Sequence, residues 1–343
     1  MSDTSTVPSP IPLMRICTGL WAARTMAVAH ALSVFELARP RSGVSVAELS
    51  EKAKVPERPA ELLLTACAAL GLLRVTDPGR YENTPVAEEY LVEGKPFYFG
   101  GVVQLFDRHS APGWMRLEEA LRNNAPTTWD PSTQTSLFDN LNPEFREPFW
   151  AGMNSLSIWT ARQVAGHVDF VDSHRLLDVG GGGGSFDIML CRKYPHLRAT
   201  LFDLPQACAF ARAKISEAGL GHRVDVVEGD FFTDELPADH DTILLSMILH
   251  DWAEDQCRTI LEQCWRALST GGRIIISELL VDDTKDGPAD AALMSIHMLV
   301  ETFGRNYTAA EYTRWLYDVG FKEIRTIRFE AISANGVVIG TKS

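Results

Sequence analysis

The chain has 343 residues, of which 45% are hydrophobic and 22% charged, with a formal net charge of −13. This length allows two domains with a sizeable core, and the acidic balance disfavours nucleic acid as a partner. No apolar run approaches the roughly 18 residues of a membrane span, residues 1–12 lack a secretory signal, and the cysteines lack CxxC spacing, so a cytoplasmic protein with reduced thiols and no membrane partner is expected.

The first part of the chain, residues 1–97, is predicted to be a small helical domain with a β-wing. Apolar residues recur at helical spacing over residues 16–39, two short helices follow within residues 46–64, and residues 70–84 indicate a two-stranded wing. This order is typical of winged-helix domains, many of which bind DNA. The second short helix has only Arg58 to meet a phosphate. Dimerisation is therefore favoured, and a transcription regulator is the remote alternative.

Residues 98–168 are predicted to be helical and rich in aromatic rings, some of which are expected to wall a substrate pocket. Residues 169–343 alternate strands with helices, which predicts an α/β domain whose last two strands form a hairpin. Strands are expected at residues 175–179, 199–203, 224–228, 242–246, 273–279, 324–329 and 337–341.

The most informative stretch is Asp178–Gly184, an aspartate and a valine followed by five glycines between a strand and a helix. Glycines admit positive φ and let a ligand approach the backbone, and the helix start offers unpaired N–H groups. Alone, this turn is weak evidence, because dinucleotide enzymes also use it. Asp203 ends the next strand, where an acid suits a ribose diol. Asp230 and Phe231 end the third, where an aromatic ring suits adenine.

With these motifs in order, the chain resembles the S-adenosylmethionine-dependent small-molecule methyltransferases related to caffeic acid and acetylserotonin O-methyltransferases, over nearly its whole length. The matching motifs are the glycine turn, F-D-L-P at Phe202–Pro205, G-D-F at Gly229–Phe231, H-D-W at His250–Trp252 and G-G-R-I-I-I-S-E at Gly271–Glu278. The resemblance implies a Rossmann-like class I methyltransferase domain. It also implies that the winged-helix-like domain forms a homodimer and that the partner is a small molecule.

The resemblance also implies a set of cofactor contacts. The residues expected to bind S-adenosylmethionine are Asp178, Gly180, Gly182, Gly184, Asp203, Leu204, Asp230, Phe231, Ser246 and Trp252. The ring of Trp252 would lie near the adenine. Ser246 stands where plant relatives carry a lysine near the cofactor, so the lysine contact does not transfer to this chain.

His250 follows a predicted strand, and residues at the carboxyl ends of parallel strands face the ligand crevice. In the O-methyltransferase relatives the matching histidine is a general base that takes the proton from a phenol. An ordinary imidazole pKa of ~6.5 makes this role feasible at neutral pH. One hypothesis is therefore O-methylation of a phenolic metabolite, with His250 as the base and Asp251 as a second catalytic candidate.

His297 favours a different hypothesis, because relatives usually have asparagine or an aliphatic residue at this position. With His250 and Asp251 it would supply two imidazoles and one carboxylate, which suit a divalent transition metal such as iron, zinc, cobalt or nickel. This set resembles the α-keto acid C-methyltransferase branch, in which the metal acts as a Lewis acid during C3-methylation of a 2-oxo acid. That interpretation is the preferred one. The alternative is that His297 only hydrogen-bonds a phenolic substrate or Asp251.

Three further residues are candidates for substrate contact. Arg108 is a possible partner of a substrate carboxylate, although a surface arginine is equally plausible. Met298 stands where a methionine of the relatives touches substrate. Glu301 lies in the same late segment as Tyr307, and neither is identifiable as the base that C3-methylation requires.

Overall fold

The computed structural model describes residues 8–41, 43–138 and 143–343, without the side chains of residues 143–145. The predicted helical segment 98–168 therefore includes a few residues, 139–142, that lie outside the described part. Within the described residues, no helix combines the length and the apolar character needed to span a membrane.

The chain divides into two compact units, and the first, Met1–Asp107, is helical with a small antiparallel sheet. Its helices are α1 (Ile11–Ala31), α2 (Val34–Leu37), α3 (Val46–Ala53), α4 (Glu57–Ala69), α5 (Pro85–Tyr90) and α6 (Gly100–Leu105). Its strands are β1 (Val44–Ser45), β2 (Leu73–Asp77) and β3 (Arg80–Asn83), in the order β1-β3-β2. The predicted helices and wing are confirmed in type.

Local capping explains where two of these helices begin and end. Ser33 adopts a left-handed φ of 56°, which ends the first helical stretch at Ala31 instead of continuing to residue 39 as predicted. At the start of α3, Ser45 Oγ accepts the N–H of Glu48, and the Glu48 carboxylate accepts the N–H of Ser45. This reciprocal capping box satisfies two backbone donors that a helix start leaves open.

The second unit, Arg108–Ser343, is an α/β domain. A π-helical turn, Phe106–Ser110, precedes α7 (Ala111–Trp114), α8 (Leu117–Asn123), α9 (Pro143–His167), α10 (Ser185–Lys193), α11 (Pro205–Glu217), α12 (Glu254–Ala267), α13 (Ala289–Glu301) and α14 (Ala309–Val319). The strands are β4 (Arg175–Val179), β5 (Arg198–Asp203), β6 (Val224–Glu228), β7 (His240–Ser246), β8 (Leu268–Glu278), β9 (Lys322–Arg328) and β10 (Gly336–Thr341). A 3₁₀ turn, Leu249–Asp251, follows β7.

The seven strands form one sheet in the order β6-β5-β4-β7-β8-β10-β9, parallel from β6 to β8. β10 pairs antiparallel with both β8 and β9, so the predicted terminal hairpin is confirmed. Successive residues of β4 serve two cores, because Leu176 packs on one face of the sheet and Leu177 on the other. The strand order reverses between β4 and β7, which opens a crevice at their carboxyl ends.

Candidate active site

The glycine turn between β4 and α10 is open toward a ligand. Gly180, Gly182 and Gly184 have φ values of +73°, +55° and +74°, which side-chain-bearing residues rarely adopt. A Cβ added at Gly182 would meet no heavy atom within 4 Å, so the backbone there borders open space. Asn154 of α9 holds the end of the turn, because its Oδ1 accepts the Ser185 hydroxyl at 2.8 Å. This contact joins residues 31 positions apart and could not be predicted from the sequence.

Asp203, at the end of β5, is tied to the same turn. Its Oδ2 accepts the N–H of Gly182 at 2.8 Å and its Oδ1 accepts the N–H of Leu204 at 2.7 Å. Burial raises the pKa of Asp203 to about 6, against the effect of these two bonds, so the carboxyl is mostly ionised at neutral pH. Each carboxylate oxygen has a second lone pair, which leaves capacity to accept hydrogen bonds from a diol.

An aromatic cluster lies at the ends of β6 and β7. Trp252 meets Phe231 and Phe232 edge to face, with ring centroids 5.9 and 4.7 Å apart. Phe138, from the segment before α9, lies 6.3 Å from Trp252. Asp230 Oδ1 accepts the N–H of Phe232 and fixes the loop that carries these rings. Half-buried aromatic faces of this kind suit a flat heterocycle.

The two other predicted cofactor residues are more deeply placed. Asp178 is 2% exposed. Burial and the neighbouring Asp187 carboxyl raise its pKa well above the ordinary value. The Ser246 hydroxyl, at the end of β7, is buried without a hydrogen-bond partner among the described residues. A buried hydroxyl in that state has bonding capacity left for a ligand.

These residues fit S-adenosylmethionine. The glycine turn offers backbone N–H groups and open space for the ligand. Asp203 offers oxygen acceptors for the ribose hydroxyls. The rings of Phe231 and Trp252 offer faces against which the adenine can pack.

Asp203→Asn is expected to weaken binding of S-adenosylhomocysteine about 100-fold, because the amide loses charged acceptors for the ribose hydroxyls and for Gly182. Isothermal titration measures the change. The matched control is Asp225→Asn, an exposed acid on the neighbouring β6, which should bind as the unmodified protein does. Equal affinities for both variants would remove Asp203 from the cofactor site.

His250 and Glu278 form a buried pair at the ends of the adjacent strands β7 and β8. His250 Nδ1 lies 2.8 Å from Glu278 Oε2, and Glu278 is fully buried. The other oxygen of Glu278 accepts the N–H groups of Ile248 and Leu249, both at 3.1 Å. The carboxylate therefore fixes both the imidazole and the turn that carries it. Glu278 was not among the predicted site residues, although it closes the G-G-R-I-I-I-S-E motif.

The charges around His250 favour its protonated form. Burial lowers the pKa of His250, but Glu278 and Asp251 outweigh it and raise that pKa to about 9. His250 Nε2 lies 3.6 Å from Asp251 Oδ1. Burial raises the pKa of Asp251 to about 7, against the effect of His250. The His250 and Asp251 side chains therefore lie close together, and each shifts the pKa of the other.

The segment that follows α13 packs against the backbone of the loop that carries His250. The Tyr307 hydroxyl donates to the carbonyl of Trp252 at 2.6 Å. A Cβ added at Gly304 would overlap the backbone of His250 and Asp251. Tyr307 therefore has a structural role, and Gly304 is required for the close approach. Sequence reasoning did not single out Gly304.

His297, on α13, is engaged by an indole. Trp114 Nε1 donates to His297 Nδ1 at 3.1 Å, and the two ring planes are nearly parallel, with centroids 6.2 Å apart. An indole N–H can only donate, so Nδ1 is an acceptor and the imidazole hydrogen resides on Nε2. Burial, His250 and His109 lower the pKa of His297 against the effect of Glu301, which keeps the ring neutral.

The predicted metal site does not fit this arrangement. A metal bound to His297 Nε2 would need the hydrogen on Nδ1, which would then face the Trp114 N–H donor to donor. Among residues 8–41, 43–138 and 143–343, no group of three or more His, Cys, Asp or Glu side chains is arranged to hold a metal ion. The assignment of His250, Asp251 and His297 as iron, zinc, cobalt or nickel ligands is therefore not supported.

Glu301, one helical turn after His297 on α13, is buried and hydrogen-bonded. Its Oε2 lies 2.8 Å from His109 Nε2 and accepts the Thr128 hydroxyl at 3.0 Å. Burial acts to raise the pKa of Glu301, but His109 and His297 outweigh it, so that pKa lies below its ordinary value. Arg108, the predicted partner of a substrate carboxylate, is exposed, and its neighbour His109 contacts Glu301.

Met298, the third predicted substrate residue, is buried on α13 at 6% exposure. Contact of Met298 or Arg108 with a substrate stays a prediction.

Two family models match the chain, an O-methyltransferase dimerisation domain over residues 14–93 and an O-methyltransferase domain over residues 114–322. The chain is 51% identical to the 3-hydroxy-5-methyl-1-naphthoate 3-O-methyltransferase of Streptomyces sahachiroi, over 97% of this chain and 96% of the relative. It is 32% identical to the tetracenomycin polyketide synthesis 8-O-methyl transferase TcmO of Streptomyces glaucescens, over 95% of each. The crystal structure of human N-acetylserotonin methyltransferase with S-adenosylmethionine superposes with a TM-score of 0.89 at 27% identity, covering 99% of this chain and 100% of that one.

The chain therefore belongs to the O-methyltransferase family. It is an S-adenosylmethionine-dependent methyltransferase with an N-terminal dimerisation domain and a class I α/β catalytic domain, as the motifs predicted.

Proposed function

We propose that the enzyme transfers a methyl group to a hydroxyl oxygen of an aromatic metabolite, with His250 as the general base. The observation that carries this proposal is the buried pair of His250 and Glu278. Such a pair can remove the proton of a phenol without a metal. The phenol alternative therefore replaces C3-methylation of a 2-oxo acid, which relied on His297 as a metal ligand.

The roles of the residues follow from their contacts. Bound S-adenosylmethionine supplies an electrophilic methyl group. The Glu278 carboxylate, whose Oε2 lies 2.8 Å from His250 Nδ1, favours the imidazole hydrogen on Nδ1, which leaves the lone pair of Nε2 for the substrate. Nε2 takes the hydroxyl proton as the oxygen becomes the nucleophile, and Glu278 stabilises the imidazolium that results. Asp251, beside Nε2, adds to this stabilisation.

The substrate class that we favour is a fused-ring hydroxy acid of specialised metabolism. Support comes from the relative at 51% identity, whose name gives a hydroxynaphthoate as its substrate. The aromatic rings of Trp114 and Trp129 agree with this choice, because both hydrogen-bond α13 residues near His250 and offer apolar faces to a flat ligand. A cytoplasmic location remains a prediction.

The test is a methylation assay with 3-hydroxy-1-naphthoic acid and S-adenosylmethionine, with and without a metal chelator. We expect a methyl ether at the same rate in both conditions. Loss of activity in chelator with recovery on return of a divalent metal, together with methylation of a 2-oxo acid, would support the C-methyltransferase hypothesis instead.

We also propose that the enzyme is a homodimer formed through α1. This helix carries large apolar side chains that are more than half exposed in the single chain, namely Ile11, Leu13, Met14, Ile16, Leu20 and Trp21. Exposed apolar side chains in this number indicate a protein interface. The family model that matches residues 14–93 is a dimerisation domain.

Ile16→Asp combined with Trp21→Asp is expected to convert the dimer to a monomer, because two charges would be buried in an apolar interface. Light scattering at micromolar concentration measures the mass. The control is Arg192→Asp, an exposed α10 position that changes the net charge equally. A monomeric unmodified protein would refute the proposal, and so would a double variant that stays dimeric.

A further inference from the structure

Asn154, on α9, brings a polar side chain against the glycine turn. Its Oδ1 accepts the Ser185 hydroxyl at 2.8 Å, and a Cβ added at Gly183 would lie 2.8 Å from the same oxygen. α9 packs along α10 through an apolar core that includes Ala161 and Phe186. The place of the Asn154 amide is therefore set by the packing of two helices and not by a loop.

The bond to Ser185 determines which end of the amide is available to a ligand. Ser185 is 6% exposed, and its hydroxyl donates to Oδ1. Within the part of the chain that the structure describes, the Asn154 side chain makes no other hydrogen bond. An asparagine amide carries two N–H donors on Nδ2, and Asn154 is only half-buried. Both donors can therefore serve a ligand at the turn.

The charges of the cofactor indicate which of its groups Asn154 meets. S-adenosylmethionine has one anionic group, the carboxylate of its amino-acid end, and the positive N-terminus of α10 attracts an anion. Three N–H groups of the turn, those of Gly180, Gly182 and Gly184, are already bonded within the protein. A carboxylate at this end of the turn therefore needs further donors, and Asn154 adds a side-chain donor to those at the start of α10.

We propose that Asn154 Nδ2 donates a hydrogen bond to the carboxylate of bound S-adenosylmethionine, and that Ser185 positions this donor by holding Oδ1. Asn154 thereby recognises the amino-acid end of the cofactor, at the opposite side of the glycine turn from the ribose contact expected of Asp203. The role of Asn154 is the same whether an oxygen or a carbon atom of the substrate receives the methyl group.

The contact is tested by isothermal titration with three probes that share the adenosine part of the cofactor. They are S-adenosylhomocysteine, its decarboxylated analogue, and 5′-methylthioadenosine, which lacks the whole amino-acid end. Asn154→Ala is expected to weaken binding of S-adenosylhomocysteine about 10- to 100-fold, the range for a hydrogen bond to a charged group, with no more than a ~2-fold change for the other two probes. Equal weakening of all three probes would mean that Asn154 only supports the turn, and would overturn the proposal.

Asn154→Asp separates the donor from the packing of the side chain. The carboxylate has nearly the shape of the amide and still accepts the Ser185 hydroxyl, but it has no N–H and it repels the carboxylate of the ligand. The preference for S-adenosylhomocysteine over its decarboxylated analogue should therefore fall by more than it does in Asn154→Ala. An unchanged preference in Asn154→Asp would contradict the proposal.

Ser185→Ala tests the positioning of the amide, and Ser157→Ala is the matched control. Ser157 lies one turn further along α9, and its hydroxyl bonds the carbonyl of Met153 within the helix, so its loss should leave the affinity for all three probes unchanged. Ser185→Ala should weaken S-adenosylhomocysteine about 3- to 10-fold, with no further effect when Asn154 is already alanine. Additive losses in the double variant would overturn the positioning role of Ser185.

Discussion

His250→Ala is expected to lower kcat by about 10²- to 10⁴-fold, the range for loss of a general base, while S-adenosylhomocysteine binds with unchanged affinity. His250 follows β7 whereas Asp203 ends β5, so loss of the imidazole leaves the expected ribose contact of Asp203 in place. Stopped-time assays for kcat and titration for affinity measure the two effects separately. A variant that keeps more than about a tenth of the activity would exclude His250 as the base.

The pairing of His250 with Glu278 predicts how the reaction rate depends on pH. The pKa of His250 is raised to about 9 by Glu278 and Asp251, so the neutral base that accepts a proton becomes more abundant as the pH rises through about 9. The rate should therefore rise with pH over this range. In Glu278→Gln the imidazolium loses its nearest charge, and the pKa of His250 should fall toward the ordinary ~6.5.

The rising limb of kcat/KM in Glu278→Gln is therefore expected at lower pH than in the unmodified enzyme, with a lower plateau because the amide no longer stabilises the imidazolium. The ionisation of the substrate itself is the same for both proteins, so a difference between the two profiles belongs to the enzyme. Identical profiles would contradict the pairing of His250 with Glu278.

Gly304→Ala is expected to lower activity as strongly as His250→Ala does, although residue 304 has no side chain that could take part in the reaction. A Cβ there would overlap the backbone of His250 and Asp251, and backbone atoms cannot rotate away as a flexible side chain can. The loop must shift, and displacement of a catalytic group by about 1 Å can cost on the order of 100-fold in rate.

The control for this variant is Gly221→Ala, where an added Cβ meets nothing within 4 Å and φ is not positive. Both variants should keep a far-ultraviolet circular dichroism spectrum like that of the unmodified protein. Full activity in Gly304→Ala would mean that the His250 loop tolerates displacement, which the tight pairing with Glu278 argues against.

The central strand β4 could be predicted closely because most of it is buried and it appears as a largely apolar run. β4 and β6 begin and end where expected, at Arg175–Val179 and Val224–Glu228. The prediction was less accurate at β8, which begins at Leu268 instead of residue 273. The residues Ser269–Gly272 have turn composition and lie at a register shift of β8, between Leu268, which pairs with His240, and Arg273, which pairs with Thr242.

The site could be predicted only where its residues follow strands. Asp203 and His250 stand at strand ends, so their place in the crevice follows from position alone. Glu278 also ends a strand, but its role depends on the distance to His250, which no spacing reveals. The partner of His297 is 183 residues away in the chain, so no spacing reveals this contact, which disfavours a metal ligand at His297.

The most direct test of O-methylation is the position of the transferred methyl group in the product. The enzyme would be incubated with S-adenosylmethionine that carries a ¹³C-labelled methyl group and with 3-hydroxy-1-naphthoic acid, and the product examined by NMR. O-methylation predicts a labelled methoxy signal coupled to the ring carbon that bore the hydroxyl. A labelled methyl bonded directly to carbon, with the hydroxyl retained, would contradict O-methylation with His250 as the base.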